Sequence, residues 1–418
     1  MPASITFDQY RHPNGLDVIL HEDHKAPIVH VLIWYHVGSK DEAFDRTGFA
    51  HLFEHMMFQG SENVGKTQHF TYVQGVGGTL NATTGQDRTN YFQTVPREYL
   101  GMALWLEADR MRSLKVTDEN FRNQLSVVKE ERKQRYDNAP YGLWYMSLLD
   151  MLFQGSTYAW GPIGSMEHLD AAPLDAVQAF HNSYYVPNNA TLVVCGDFDR
   201  NEVRALIDKY FGVIPSGADI SRSSIPPVVP VREQVRRTIT DRIPLPAVYI
   251  GFQGAPIGHA DARALSLLAL VLNRGRSSRL QHSLVYDQQV AQNAAAFNVD
   301  MERTGLFIVL ATASEDSSAD AVEQALWREL EKIRRDSVTE RELQAAINHI
   351  RTSFVTSFCK LQGVADALAS HHVLCGDASR VNGLFEEFSA VTTDDIRRVA
   401  ETYLRPESAA VLQYLPGN

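Results

Sequence analysis

The chain has 418 residues, 44% of them hydrophobic and 21% charged, which is enough to bury two or three cores and too much for one ordinary core. A formal net charge of −11 with no block of Lys or Arg excludes nucleic acid or an anionic membrane as the main partner and leaves peptides or small molecules. No apolar run approaches the roughly 18 residues of a membrane span, and residues 1–8 lack a basic start and an apolar core, so the expectation is a soluble, cytoplasmic or periplasmic chain with no membrane span.

The first element that carries chemistry is a helix within Thr47–Gly60, centred on His51-Leu52-Phe53-Glu54-His55. At about 100° per residue, His51 and His55 project from one face a turn apart, and Glu54 lies beside them. Two neutral imidazoles suit Zn²⁺, which takes three protein ligands and a water when its site is catalytic, and an adjacent carboxylate can accept a proton from that water. The order His-x-x-Glu-His is the inverzincin pattern of zinc peptidases. Phe49, Leu52, Phe53, Met56, Met57 and Phe58 make the helix apolar nearly all round and therefore buried. Two imidazoles and a carboxylate inside need partners, and a metal supplies one.

Residues 77–95 alternate in two stretches around Gly85-Gln-Asp-Arg88 and predict a β-hairpin. Residues 121–138 have a helical pattern, with Phe121, Leu125 and Val128 on one stripe and charges elsewhere. That helix offers Glu130 and Glu131 as a third metal ligand, and periodicity does not choose between them. Cys195, Cys359 and Cys375 are odd in number and widely spaced, which predicts buried free thiols in place of a disulfide framework.

Two halves repeat. Residues 175–187 are echoed by 394–406 at an offset of 219, with Asp175/Asp394, Val177/Ile396, Tyr184/Tyr403 and Pro187/Pro406 in register, and each is followed by a strand-like run. Between the halves, 215–230 is rich in Ser and Pro and reads as a linker. The architecture expected is α+β: two similar domains, each a mostly antiparallel sheet packed with helices, spanning 1–214 and 236–418 and joined by a linker at 215–235. The second half does not repeat the chemistry, because its counterpart of the metal helix, around 262–272, has no His-x-x-Glu-His. Arg274, Arg276 and Arg279, which follow it, read as a solvated basic loop with the alternative of meeting a carboxylate of substrate or partner. One zinc site per chain is the expectation.

These motifs, together with Leu16–Leu20, Val37-Gly-Ser-Lys-Asp-Glu42, Gly77-Gly78 with Asn81-Ala82, Leu106–Met111, Val127–Arg132 and Tyr185–Ala190, run through nearly the whole chain, which resembles the pitrilysin-like metallopeptidases. That group includes mitochondrial processing peptidase and insulin-degrading enzyme. The resemblance implies a two-domain, bacterial-type catalytic subunit of a zinc-dependent endopeptidase acting on extended peptides. It implies zinc held by His51, His55 and Glu131, with Glu54 as the base. It also implies that the hairpin edge with Asn81 and Ala82 lines the substrate cleft, where a peptide adds as a further strand. Gln124 stands where many relatives carry another Glu, so a group near the metal keeps its hydrogen bonding and loses its proton chemistry. In relatives an Arg and, seven residues later, a Tyr of the second domain grip the peptide; here the matching positions are Val285 and Gln292. The expected partner is a paralogous subunit that carries the Arg and Tyr, in a heterodimer; a homodimer, or a lone chain using Tyr286 or the Arg cluster, is the alternative. The family also includes non-catalytic structural subunits, which makes such a role the second functional reading.

Overall fold

The computed structural model describes residues 4–222 and 225–417. These form two compact units, and neither is continuous in sequence: the first takes the described residues up to Arg132, within Trp160–Ile225 and in Val355–Asn382, and the second takes Lys133–Ala159, Pro226–Phe354 and the described residues from Gly383.

The first unit is built on a six-stranded sheet of β1 (Asp8–Arg11), β2 (Asp17–Glu22), β3 (Ile28–Tyr35), β4 (Thr79–Thr84), β5 (Thr89–Pro96) and β6 (Ala190–Gly196), in the order β1-β2-β6-β3-β5-β4. Only β2 and β6 pair in parallel. β3 reads Ile-Val-His-Val-Leu-Ile-Trp-Tyr and is buried at every position after Ile28, as a strand covered on both faces must be. Helix Leu100–Ser113 packs on β3 and β5. Helix Leu361–Cys375, from the far end of the chain, packs on β6 and β3.

The second unit holds five strands, β7 (Val235–Asp241), β8 (Ala247–Gly254), β9 (Ala291–Asp300), β10 (Gly305–Ala313) and β11 (Ala409–Pro416), in the order β7-β11-β8-β10-β9. Its two faces separate by alternation. Val248, Ile250, Phe252 and Val411 join one core with residues of helices Ala260–Asn273, Ala319–Asp336 and Thr393–Tyr403. Ala247, Tyr249, Leu412 and Tyr414 join another with Leu148, Leu149 and Leu152 of helix Trp144–Leu152, where Trp144 stacks on Tyr249 at 5.1 Å.

The internal repeat is a repeat of topology. The run β2-β6-β3-β5-β4 has the same order as β7-β11-β8-β10-β9, with one parallel pair, β7 with β11, in the matching place. Each repeat carries helix, Pro-initiated turn and strand, as Leu174–Tyr184 into β6 and as Thr393–Tyr403 into β11. Packing does not follow the sequence halves, since helix Trp144–Leu152 serves the second unit and helix Leu361–Cys375 the first. Between Phe211 and β7 the described residues form no helix or strand. Among the described residues no helix is long and apolar enough to cross a membrane. Cys195 is buried within β6, but Cys359 is exposed, a correction to the expectation of buried thiols: it follows the end of helix Glu340–Phe358, whose last turns are solvated.

Candidate metal centre

Helix Phe49–Met56 buries Phe49, Ala50, Leu52, Phe53 and Met56 and leaves His51, Glu54 and His55 on its remaining stripe. Tyr91 of β5 donates its hydroxyl to the Phe53 carbonyl at 2.9 Å, and Arg110, paired with buried Glu107, lies over the Tyr91 ring at 4.4 Å. Helix Asp118–Arg132 packs on this helix. Its buried stripe runs through Phe121, Gln124 and Val128, so Leu125, expected on the stripe, is only partly covered. Continuing from Gln124 and Val128 by helical steps brings the stripe to Glu131, while Glu130 is exposed.

His51, His55 and Glu131 thus converge, with one ligand atom of each lying within 4.8 Å of the others. Glu131 Oε2 is 3.2 Å from His55 Nε2 and 3.8 Å from His51 Nε2, and the three side chains are 17%, 24% and 12% exposed. Two imidazoles and a carboxylate are a zinc donor set, and ligands about 2.0–2.1 Å from a tetrahedral ion stand about 3.3 Å apart, so the cluster fits that ion with small adjustments.

Glu54 lies beside the cluster, and Thr84 at the end of β4 donates its hydroxyl to Glu54 Oε2 at 2.6 Å. Burial raises the Glu54 carboxyl above its ordinary range, the Thr84 hydrogen bond and His55 oppose that, Glu131 adds to it, and Arg88 lowers it. Arg88 is fixed by the Thr83 carbonyl at 2.8 Å and by the Thr83 hydroxyl. β4 is an edge strand, as the hairpin reading requires of a surface open to an added strand. The pleat puts Ala82 on the Thr84 face and exposed Asn81 on the other, so the two expected cleft residues do not point the same way.

Sequence reasoning missed Thr84, Arg88, Glu42 and Trp160. Glu42 is 4% exposed and accepts from Gly48 N at 2.9 Å, Ala50 N at 2.8 Å and the Trp160 indole at 3.0 Å. Burial pushes its carboxyl up to about 8, although these hydrogen bonds favour the charged form. None of these contacts has a helical or strand period, so only the fold reveals them. In the second unit, Arg279 makes a two-pronged pair with Glu342 at 2.6 and 2.8 Å, and Arg274 donates to the Ala345 carbonyl at 2.6 Å. Two of the three arginines therefore tie the loop to helix Glu340–Phe358, while residues 274–277 remain exposed, as a solvated loop would be. Val285 packs partly buried against the core of its unit, and Gln292 is exposed on β9.

Residues 17–158 match the family described as insulinase (peptidase family M16), and residues 171–350 match the peptidase M16 inactive domain. The chain is 29% identical over 409 residues to the zinc protease PqqE of Helicobacter pylori, covering 96% of this chain and 91% of that one. It is 24% identical to a probable mitochondrial-processing peptidase subunit beta of Arabidopsis thaliana, covering 96% and 76%. The crystal structure of a protease from Helicobacter pylori superposes with a TM-score of 0.95 at 26% identity over 99% of this chain and 100% of that one. That of a peptidase M16 inactive domain from Pseudomonas fluorescens shares the fold at a TM-score of 0.89 and 15% identity, covering 99% and 98%. With both halves matched by models of one family and the two-unit fold shared throughout, the chain belongs to the M16 (insulinase) peptidase family.

Proposed function

We propose that this chain is a zinc-dependent endopeptidase, with His51, His55 and Glu131 as the ligands of one Zn²⁺ and Glu54 as general base and acid. The observation that carries the reading is the convergence of two imidazoles and the Glu131 carboxylate beside a carboxyl that is not one of them. When bound there, zinc supplies a water of lowered pKa and polarises the scissile carbonyl. With Oε2 engaged by Thr84, Glu54 takes the water's proton on Oε1 and returns it to the leaving amine. The substrate is an extended peptide that pairs with the backbone of β4 near Asn81 and Ala82. The strand that receives it also carries Thr84, so peptide and base are held by one element. Gln124, buried on the same stripe two turns before Glu131, is a neutral amide where a Glu would bring charge.

With Val285 and Gln292 in place of an Arg and a Tyr, Val285 offers the peptide no hydrogen-bond donor, and losing one such donor costs about 3 kcal/mol of transition-state stabilisation. With Arg274 and Arg279 engaged inside their own unit, the partner that supplies the missing pair is a paralogous subunit, in a heterodimer. A non-catalytic subunit role is the second reading, favoured by the same missing pair and by a solved relative, described as an inactive domain, that has this fold. Hydrolysis of a quenched fluorescent peptide by the purified chain, with and without a candidate paralogue and after removal of metal by a chelator, separates the readings. Metal-dependent cleavage that rises sharply with the paralogue is expected. Full turnover by the chain alone removes the heterodimer, and no cleavage under any condition removes the enzyme.

A further inference from the structure

The helix that carries His51, Glu54 and His55 starts in an unusual way. Its N-cap is Gly48, at φ 98°, with no side chain to accept the free N–H groups of the first turn. The packing enforces that glycine: a Cβ there would stand 2.9 Å from Leu169 and 3.0 Å from the Ile163 carbonyl, and Gly164 packs against the Gly48 backbone so closely that a Cβ on it would lie 2.5 Å away. A Ser, Thr or Asp cap has no room. Glu42, six residues upstream, does the capping instead, with one oxygen on Gly48 N, the other on Ala50 N, and the Trp160 indole fixing the carboxyl group from outside.

The segment that carries Glu42 is itself tied to the hairpin. Ser39 N donates to the Gly85 carbonyl at 3.2 Å and Lys40 N to the Gln86 carbonyl at 3.0 Å, in the turn that directly follows Thr84. Gly38 lies so close that a Cβ would stand 2.3 Å from the Gln86 carbonyl oxygen, and the fully buried Lys40 ammonium reaches Asp41 at 3.0 Å and Asp87 at 3.8 Å. One short segment therefore grips the hairpin at one end and the first turn of the His helix at the other. The Thr84 to Glu54 hydrogen bond joins those same two elements.

We propose that Glu42 is a positioning residue for the metal centre: by capping helix Phe49–Met56 from a segment anchored on the β4–β5 turn, it sets the placement of His51, His55 and Glu54 against Glu131 and Thr84. This rests on the reading of the site as a zinc centre. It acts through the helix and touches neither metal nor substrate. The helix buries its apolar stripe whatever Glu42 does, so what the cap controls is the position of the polar stripe. Outer groups of this kind change metal affinity or activity by about 10–100-fold when removed.

The test compares Glu42→Gln and Trp160→Phe with the wild type by chelator-competition zinc affinity, by kcat and KM on a quenched peptide, and by amide hydrogen exchange of the first helical turn. The expected result for Glu42→Gln is a retained fold, faster exchange at residues 48–51, zinc affinity lowered about 10–100-fold, and kcat lowered with KM within about twofold. Trp160→Phe, which removes one donor to the same carboxyl, shifts each readout the same way by less. Unchanged zinc affinity and an unchanged ratio of kcat to KM in a Glu42→Gln protein that is only less heat-stable would overturn the positioning role. A wild type that takes up no zinc would overturn the reading of the site, a separate outcome from one in which the wild type binds zinc and the variants bind it equally well.

Discussion

In each unit a helix follows the third strand of the repeated sheet order: Phe49–Met56 after β3 and Ala260–Asn273 after β8. The second is a structural helix in every contact. His259 caps it locally, its Asp261 meets Arg398 at 2.7 Å and the Tyr403 hydroxyl at 2.9 Å, its Arg263 meets Glu387 at 3.1 Å, and its Leu265, Leu267, Leu268 and Leu272 are fully buried. The first is shorter, at 8 residues against 14, its N-cap side chain is missing, and its polar groups converge on one another and on a carboxylate of another helix. A fold that settles each charge with an opposite partner in one copy and gathers two histidines and two glutamates in the other has kept the scaffold and changed its use. Clustered carboxyls and imidazoles in low-dielectric surroundings cost stability, which a bound cation offsets.

The largest expected effect lies at the base. Glu54→Gln keeps the shape and the Thr84 contact and lowers peptide hydrolysis by about 10²–10⁴ while bound zinc stays, read by turnover and metal analysis on one sample. Equal activity in that variant would reduce the first helix to the status of the second. The converse belongs to the other unit: Leu268→Ala opens a cavity in a sealed core, costs about 2–5 kcal/mol of stability in denaturant unfolding, and leaves zinc affinity unchanged. Thr84→Val sharpens the account by removing one hydrogen bond to Glu54, with kcat expected to fall about tenfold and metal content unaltered.

The smallest effect concerns charge in the second unit. Burial alone would raise the Glu342 carboxyl, but Arg279 beside it, with the Thr339 backbone and hydroxyl, more than offsets that and holds it down to about 2 from an ordinary 4.5. A lowered folded-state value means that its stabilising contribution is complete above about 4.5 and is lost as pH falls toward 2, so Glu342→Gln removes that contribution at neutral pH, flattens the acid limb of stability over that window and differs least from the wild type near pH 2. The pair is partly exposed, and the shift in acid midpoint is small.

Much of this was legible in the sequence because it is periodic or local. His51 and His55 are one helical turn apart, the hairpin alternates around Gly85–Arg88, and the helix-Pro-strand repeat stands out at a fixed offset. The choice of Glu131 over Glu130 was not periodic information; it depends on which stripe of helix Asp118–Arg132 faces the first helix, and Gln124 with Val128 marks that stripe in the fold. The exchange of helices Trp144–Leu152 and Leu361–Cys375 between units was invisible, since an amphipathic helix states that it needs a sheet without stating which. The capping by Glu42 escaped for a similar reason: a contact across six to eight residues of loop is set by tertiary geometry, whereas a local cap such as Ser318 or Asp199 can be read directly.

The most direct test of the metal centre is zinc stoichiometry in the purified wild type, Glu131→Gln and Glu130→Gln, measured after the same dialysis. The account predicts one zinc per chain in the wild type and in Glu130→Gln, and loss of zinc in Glu131→Gln at near-neutral pH. Zinc retained by Glu131→Gln and lost by Glu130→Gln, or absent from all three, would contradict it.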